Sequence, residues 1–226
     1  MKLGVLFSGG KDSTFALHMA SEREEIACLI AMLSKNEESY MFHTPNIDIT
    51  ALQAEAMELP ILQKTTVGRQ DEELSDLKEA IAQAIREYKI EGVVSGAIES
   101  VYQSERIQRI CSQLDVWCFN PLWKRDQREH LEELVAKGYD VIISGIFAYP
   151  LDETWLGKRF DRDLIGKLLS IRDRFGISPS GEGGEIETTV LDAPLFKKRI
   201  KILESEVEAK GNSGVLRLTE VRLVQK

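Results

Sequence analysis

The residues best equipped for chemistry come first in the chain: Ser8-Gly9-Gly10-Lys11-Asp12-Ser13, directly after the apolar run Leu3 to Phe7 and directly before Thr14-Phe15-Ala16-Leu17. That order predicts a strand, a glycine loop and a helix. Two glycines let the chain turn tightly with its amides pointing inward and no side chain in the way. The helix that follows brings unpaired N–H groups and roughly half a positive charge from its dipole. Lys11 adds a full charge, and Ser8 and Ser13 add hydroxyls. Together these groups suit a phosphate or pyrophosphate. The spacing matches neither GxxxxGK[ST] nor GxGxxG, which points away from transfer of a terminal phosphate. Asp12 is unfavourable beside phosphates unless a cation lies between them, so it is expected to meet Mg²⁺, to cap the helix, or both.

A second constellation lies far along the chain, Gly181-Glu182-Gly183-Gly184-Glu185-Ile186-Glu187-Thr188. Three carboxylates within six residues would repel one another on a bare surface. A solvated acidic turn is the plain reading. The glycines, however, permit close backbone approach to a ligand, and the stretch runs into a β-branched strand start. Fixed in place, Glu182, Glu185 and Glu187 suit a cation, a metal or an amine that must lose a proton.

The elements that must hold these groups alternate in type. Strand-like runs recur at Leu3–Phe7, Ile26–Leu33, Ile61–Thr66, Gly92–Ser95, Val116–Phe119 and Val141–Phe147. Between them Leu74, Leu77, Ile81, Ile85 and Tyr88 share one helical face from about Glu72, as do Ile107, Ile110, Cys111 and Leu114. Asp126 with Glu129 reads as a capping box, and Gly138 as that helix's end. Alternating strands and helices predict an α/β fold, an open parallel sheet with helices on both faces. Three strands end in Ser-Gly, at Ser8-Gly9, Ser95-Gly96 and Ser144-Gly145. Ligands of such sheets bind at the carboxyl ends of strands, near the switch point. Hence Ser95, Gly96, Ala97 and Ile98 are expected to line a nucleotide, with Ser144-Gly145 a weaker case, since Ser and Gly also favour ordinary turns. Texture changes near Tyr149. Thr154–Arg174 reads as a helix broken near Gly157 and Gly166. Alternating apolar residues from Val215 to Val224 then suggest terminal strands, paired with Leu191–Phe196 and Ile200–Leu203. The expected division is a nucleotide-binding part, residues 1–149, packed against a smaller C-terminal α+β lobe, residues 150–226.

Composition narrows the classes. The 226 residues, 43% apolar and 29% charged, fit an ordinary globular protein. No apolar run reaches membrane-spanning length. The first residues enter a strand at once, so the expectation is a cytoplasmic protein. A net charge of −8 argues against a broad nucleic-acid surface. Cys28, Cys111 and Cys118 contain no CxxC and read as free thiols.

SGGKDS resembles the PP-loop of the ATP pyrophosphatases (a HUP-like fold), which cleave ATP between the α- and β-phosphates. With the GEGGEIET stretch added, the chain resembles the diphthine–ammonia ligase, or diphthamide synthetase, family over nearly its whole length. Further carriers are Ser34 to His43, Ser95-Gly96-Ala97-Ile98, Tyr102-Gln103 with Arg106, Pro121-Leu122-Trp123 and Leu191 to Phe196. Ile186 departs from the family's usual aromatic residue. The resemblance implies amidation by ammonia of diphthine on elongation factor 2, through an acyl-adenylate, with ATP and Mg²⁺ required; a homo-oligomer is compatible with it. It assigns Ser8 to Ser13 to the pyrophosphate and Lys11 and Asp12 to catalysis, with Asp12 also on the metal. Met32 and Leu33 become candidates for backbone contact with adenine. Tyr102, Gln103, Arg106, Gly183, Gly184 and Thr188 become candidates for substrate contact, and Glu182, Glu185 and Glu187 for a cationic group or the ammonium proton. His43 reads more readily as structural, and Trp123 and Trp155 as packing residues. The alternatives are a tRNA-modifying enzyme with the same loop and a nucleotide-binding protein that does not turn over.

Overall fold

A computed structural model describes residues 1–36 and 45–226; the intervening stretch, with His43, lies outside the described residues. Five parallel strands form the first sheet: β1 (Lys2–Leu6), β2 (Glu25–Ser34), β3 (Ile61–Thr66), β4 (Gly92–Val94) and β5 (Trp117–Phe119), in spatial order β3-β2-β1-β4-β5. The chain walks outward from β1 to β3, then crosses back and continues from β4 to β5 on the other side. The carboxyl ends of β1 and β4 are therefore neighbours whose following loops diverge, which is the switch point of such a sheet.

Strand alternation explains how the sheet is covered. Successive side chains point to opposite faces. Cys28, Ile30 and Met32 on β2 and Val93 on β4 pack with Leu77, Ala80, Ile81 and Ala84 of α3 (Gln70–Tyr88) and with Ile107, Ile110 and Cys111 of α4 (Val101–Gln113). Leu29 on β2, Val5 on β1 and Val94 on β4 face the other way. They join Phe15 and Leu17 of α1 (Lys11–Ser21) and Ala54, Ala56 and Met57 of α2 (Thr50–Met57). Burial on both faces is why these strands read as continuous apolar runs.

That second core is shared with an antiparallel sheet, ordered β7-β6-β9-β8 and built from β6 (Asp140–Ile146), β7 (Ile186–Asp192), β8 (Lys198–Lys210) and β9 (Ser213–Gln225). Val141, Ile142, Ile143 and Ile146 of β6 and Val190 and Leu191 of β7 lie in the same buried cluster as Val5 and Phe15. One continuous core thus binds the two sheets to each other. Two short helices complete the second part. In α5 (Gln127–Ala136), Asp126 caps the first turn by accepting from the Glu129 N–H at 2.9 Å. In α6 (Arg162–Phe175), Asp161 does the same for Leu164 at 2.7 Å.

Three expectations need correction. β6 pairs antiparallel with β7 and β9, so the sheets divide after β5 rather than at Tyr149; an apolar run does not reveal which sheet it joins. Ser144 is fully buried within β6, so the third Ser-Gly pair is core and not a ligand-facing strand end. The helix expected over Thr154–Arg174 begins only at Arg162, after a single 3₁₀ turn at Glu153–Trp155 and Gly157 at φ +77°, while Gly166 sits inside α6 without interrupting it.

Helix α2, which carries no periodic apolar signal, brings a buried amide to the glycine loop. Gln53 Nε2 donates to the Gly9 carbonyl at 2.9 Å and to the Val190 carbonyl at 2.8 Å, tying β1's loop to β7. Gln53→Leu keeps the bulk but leaves both carbonyls short of a donor, offset in part because the buried Oε1 has no partner. Urea unfolding is expected to show a loss of about 1–2 kcal/mol.

Candidate active site

At the switch point lies a cleft of about 620 Å³ with three distinct walls. One is the glycine loop and the end of β4: Ser8, Gly10, Lys11, Asp12, Ser13, Ser95, Gly96 and Ala97. The second is apolar, formed by Leu6, Ile30, Met32, Leu77 and Ile107 between the sheet and helices α3 and α4. The third comes from the antiparallel sheet: Ser180 to Gly184, Glu187, Thr188 and Phe147. A polar cradle beside an apolar slot fits a nucleotide, phosphates in one and base in the other.

The cradle's shape follows from its glycines. Gly9 adopts φ +77°, and a Cβ there would stand 2.3 Å from Gln53 Oε1. At Gly96 a Cβ would come within 2.8 Å of the Ser13 nitrogen and 2.9 Å of the Asp12 carbonyl carbon. Only glycine lets the β4 loop approach the first turn of α1 this closely. Helix α1 opens on Gly10 with no side-chain cap. The Lys11 N–H instead donates to Thr188 Oγ1 at 3.1 Å, across to β7. Ser8 and Ser13 face each other, Oγ to Oγ 3.2 Å, and the Ser13 hydroxyl returns to the Gly10 carbonyl at 3.2 Å.

The charges are concentrated and buried. The Lys11 ammonium donates to Asp12 Oδ2 at 2.8 Å and to the Ser180 carbonyl at 2.5 Å, with the side chain 3% exposed. Asp12 Oδ1 meets Nε2 of the fully buried His130 at 2.7 Å. Burial opposes ionisation of Asp12, but Lys11 and His130 outweigh it and hold its carboxyl below the ordinary range. Among the described residues Glu187 has no such partner. Burial, with Asp12 and Glu182 nearby, overcomes the pull of Lys11 and pushes its carboxyl up to about 7. Glu182 is raised for the same leading reason, burial, and then by Asp12. It accepts from the Glu99 N–H at 2.9 Å. A carboxyl poised near neutrality suits a group that takes and gives a proton.

The cleft gathers most of the residues singled out in the sequence and sorts the rest. Gly9 lies behind the loop. Leu33 and Ile98 do not line the cavity, and Ile98 is fully buried in the core. Gln103 is on the wall, but Tyr102 and Arg106 are not. The Arg106 guanidinium lies 3.3 Å from the Tyr102 ring centroid and donates to the Tyr102 carbonyl at 3.1 Å. Glu185 turns inward: its oxygens accept from the Ser178 and Gly183 N–H groups, both at 2.9 Å, so it shapes the acidic loop and does not face the cavity. Thr188 reaches the cavity with its hydroxyl already engaged by Lys11. The sequence reading missed His130, Gln53, Ser180 and Phe147. His130 sits in an ordinary amphipathic helix, and nothing in its spacing marks it.

Among the described residues no three His, Cys, Asp or Glu side chains come together as a metal cage. Asp12, a single carboxylate at the loop, fits a Mg²⁺ held mainly by phosphate oxygens and water.

Comparison with known proteins matches both halves of the chain. The family model described as diphthamide synthase N-terminal domain covers residues 1–117, and the one described as diphthamide synthase C-terminal domain covers residues 126–224. The chain belongs to the diphthamide synthase family. Within that family, the diphthine–ammonia ligase of Rattus norvegicus is 34% identical over 251 residues, spanning 100% of this chain and 94% of that protein. The Homo sapiens diphthine–ammonia ligase is 32% identical with the same coverage. The Schizosaccharomyces pombe protein is 35% identical over 224 residues, covering 92% of this chain; this chain spans only 37% of that longer relative. The first diphthamide synthase model ends at the start of β5 and the second begins just before α5, so the gap between them falls where the two sheets divide. No helix among the described residues is long and apolar enough to cross a membrane.

The raised Glu187 carboxyl carries a stability consequence. Its folded value of about 7 exceeds the ordinary 4.5, so the folded protein binds the proton more tightly than the unfolded chain. The contribution is fully present below pH 4.5 and is lost as pH rises through 7. Wild-type melting temperature should therefore fall across that window more steeply than that of Glu187→Gln. Parallel pH profiles would show that Glu187 titrates normally.

Proposed function

We propose that this protein amidates the carboxylate of diphthine on elongation factor 2, using ATP and ammonia and releasing AMP and pyrophosphate. The observation that carries the reading is the placement, in one cleft, of a buried lysine on a glycine loop and an acidic wall bearing a carboxyl near neutrality. Family membership supplies the substrate class.

In this reading the outer phosphates of ATP lie on Ser8 to Ser13, and the adenine enters the slot of Ile30, Met32, Leu77 and Ile107, within reach of the backbone at Met32. Ser95, Gly96 and Ala97 lie along the nucleotide. The diphthine carboxylate oxygen attacks the α-phosphorus; the bond to the bridging oxygen breaks, and pyrophosphate leaves. Lys11 and the amides of α1's first turn stabilise the charge that develops on the leaving group. Mg²⁺, held by Asp12 and the phosphates, would neutralise part of the same charge when bound.

Ammonia then attacks the acyl carbon, the C–O bond to AMP breaks, and the amide forms. Ammonium must first lose a proton, and Glu187 is the acceptor best placed in charge and burial, with Glu182 beside it. The glycines Gly183 and Gly184, exposed at the cleft mouth, let the bulky protein substrate approach. Residues 1–119 serve the nucleotide, and the antiparallel sheet with α5 and α6 serves the acceptor. Soluble substrates of this kind place the reaction in the cytoplasm.

The test combines the protein with ATP, ammonium and elongation factor 2 carrying diphthine. AMP is expected to equal amide formed, with Lys11→Met lowering both by at least about 100-fold, the scale of losing a main electrostatic contact to a leaving group. Glu187→Gln should keep pyrophosphate release in the first turnover and lose amide formation. ADP as the product would overturn the reading, as would AMP release indifferent to elongation factor 2. Equal loss of both half-reactions in Glu187→Gln would move that residue from proton transfer to substrate binding.

A further inference from the structure

Histidine 130 belongs to the second half of the chain yet makes a close polar contact with the glycine loop. Its ring is fully buried on α5, with Nε2 2.7 Å from Asp12 Oδ1. Phe15 lies alongside at a centroid distance of 5.3 Å. The other ring nitrogen, Nδ1, is buried with no hydrogen-bond partner among the described residues.

A carboxylate accepts, so Nε2 must carry a proton. The ring thus donates through Nε2 to one oxygen of Asp12. That leaves Oδ2 to Lys11, at 2.8 Å. With only one oxygen engaged, the carboxylate could swing about its side-chain torsions and take the ammonium with both oxygens, drawing it from the cleft.

We propose that His130 is a positioning residue: by holding Asp12 Oδ1 from behind, it keeps Oδ2 and the Lys11 ammonium directed into the cleft. The helix that carries it is anchored beside the acidic loop. Gln127, one turn earlier, accepts from the Ser178 hydroxyl at 2.8 Å and the Ser180 N–H at 3.3 Å, and the Ser180 carbonyl in turn receives Lys11. One face of α5 thus sets both partners of the lysine, the carboxylate through His130 and the carbonyl through Gln127. The proposal rests on reading the loop as the ATP site.

Two substitutions separate the donor from the bulk. His130→Leu keeps much of the volume and removes the N–H; His130→Gln places an amide N–H near the Nε2 position. His130→Leu is expected to lower kcat for AMP formation about 10- to 100-fold, the usual scale for losing such a supporting hydrogen bond, with KM for ATP changed much less. His130→Gln should recover most of the rate. In an Asp12→Asn background, His130→Leu should cost little more, because both act through one carboxylate. Wild-type kcat in His130→Leu, or equal loss in both variants, overturns the proposal. Should the leucine variant not fold, ¹⁵N spectra of the wild-type protein decide. The His130 signals, assigned by their loss in His130→Gln, must report a ring that carries a proton on Nε2; protonation at Nδ1 alone contradicts the proposal. A wild-type protein that makes no AMP would count against the reaction above and leave this readout standing.

Discussion

A lysine ammonium held almost wholly out of water is the constraint on which the rest of this structure turns. Burying such a charge costs several kcal/mol unless partners replace the lost water. Lys11 has two, the Asp12 carboxylate and the Ser180 carbonyl, and they come from opposite halves of the chain. Asp12 is its sequence neighbour on α1. Ser180 opens the acidic loop before β7. The cation can be kept in place only if the two halves are packed together, which is what the shared core of β1, α1, β6 and β7 accomplishes.

The same requirement accounts for contacts that otherwise look incidental. Thr188 receives the Lys11 amide, Gln53 joins Gly9 to Val190, and the Val190 N–H donates to the Gly9 carbonyl at 3.0 Å. Each links the glycine loop to β7. Once the cation is fixed, the carboxylates around it divide by partner. Asp12, paired with it and with His130, stays ionised. Glu187, close but not bonded to it, is left near neutrality. Two acids a few residues' reach apart in one cleft thereby acquire different chemical roles from burial and pairing alone.

Much of this was legible in the sequence because it is written locally. Apolar runs of four to eight residues, helical faces such as Leu77 and Ile81, and the Ser8 to Ser13 loop depend on near neighbours, and the parallel sheet follows from their order. The two motifs, SGGKDS and GEGGEIET, were each readable, and they do meet. What escaped depends on contacts between distant residues. Nothing in Asp126 to Ala136 announces that His130 will reach Asp12 from 118 residues away. The apolar run of β6 is compatible with either sheet, and tertiary packing chose the antiparallel one. Glu185 has the same residue type and nearly the same neighbours as Glu187, yet the turn at Gly181 and Gly184 folds it back onto its own loop. Strand alternation separates such residues only once the strand's start, at Ile186, is known.

The central claim is that the loop around Lys11 grips the two outer phosphates of ATP while a carboxylate captures the inner one. Isotope exchange tests this most directly, since reversal of that step alone returns labelled pyrophosphate to ATP. With diphthine-bearing elongation factor 2 present and ammonium withheld, labelled pyrophosphate should appear in ATP at a rate that depends on the acceptor protein and vanishes in Lys11→Met. No exchange, under conditions in which the enzyme consumes ATP once ammonium is added, would contradict the account.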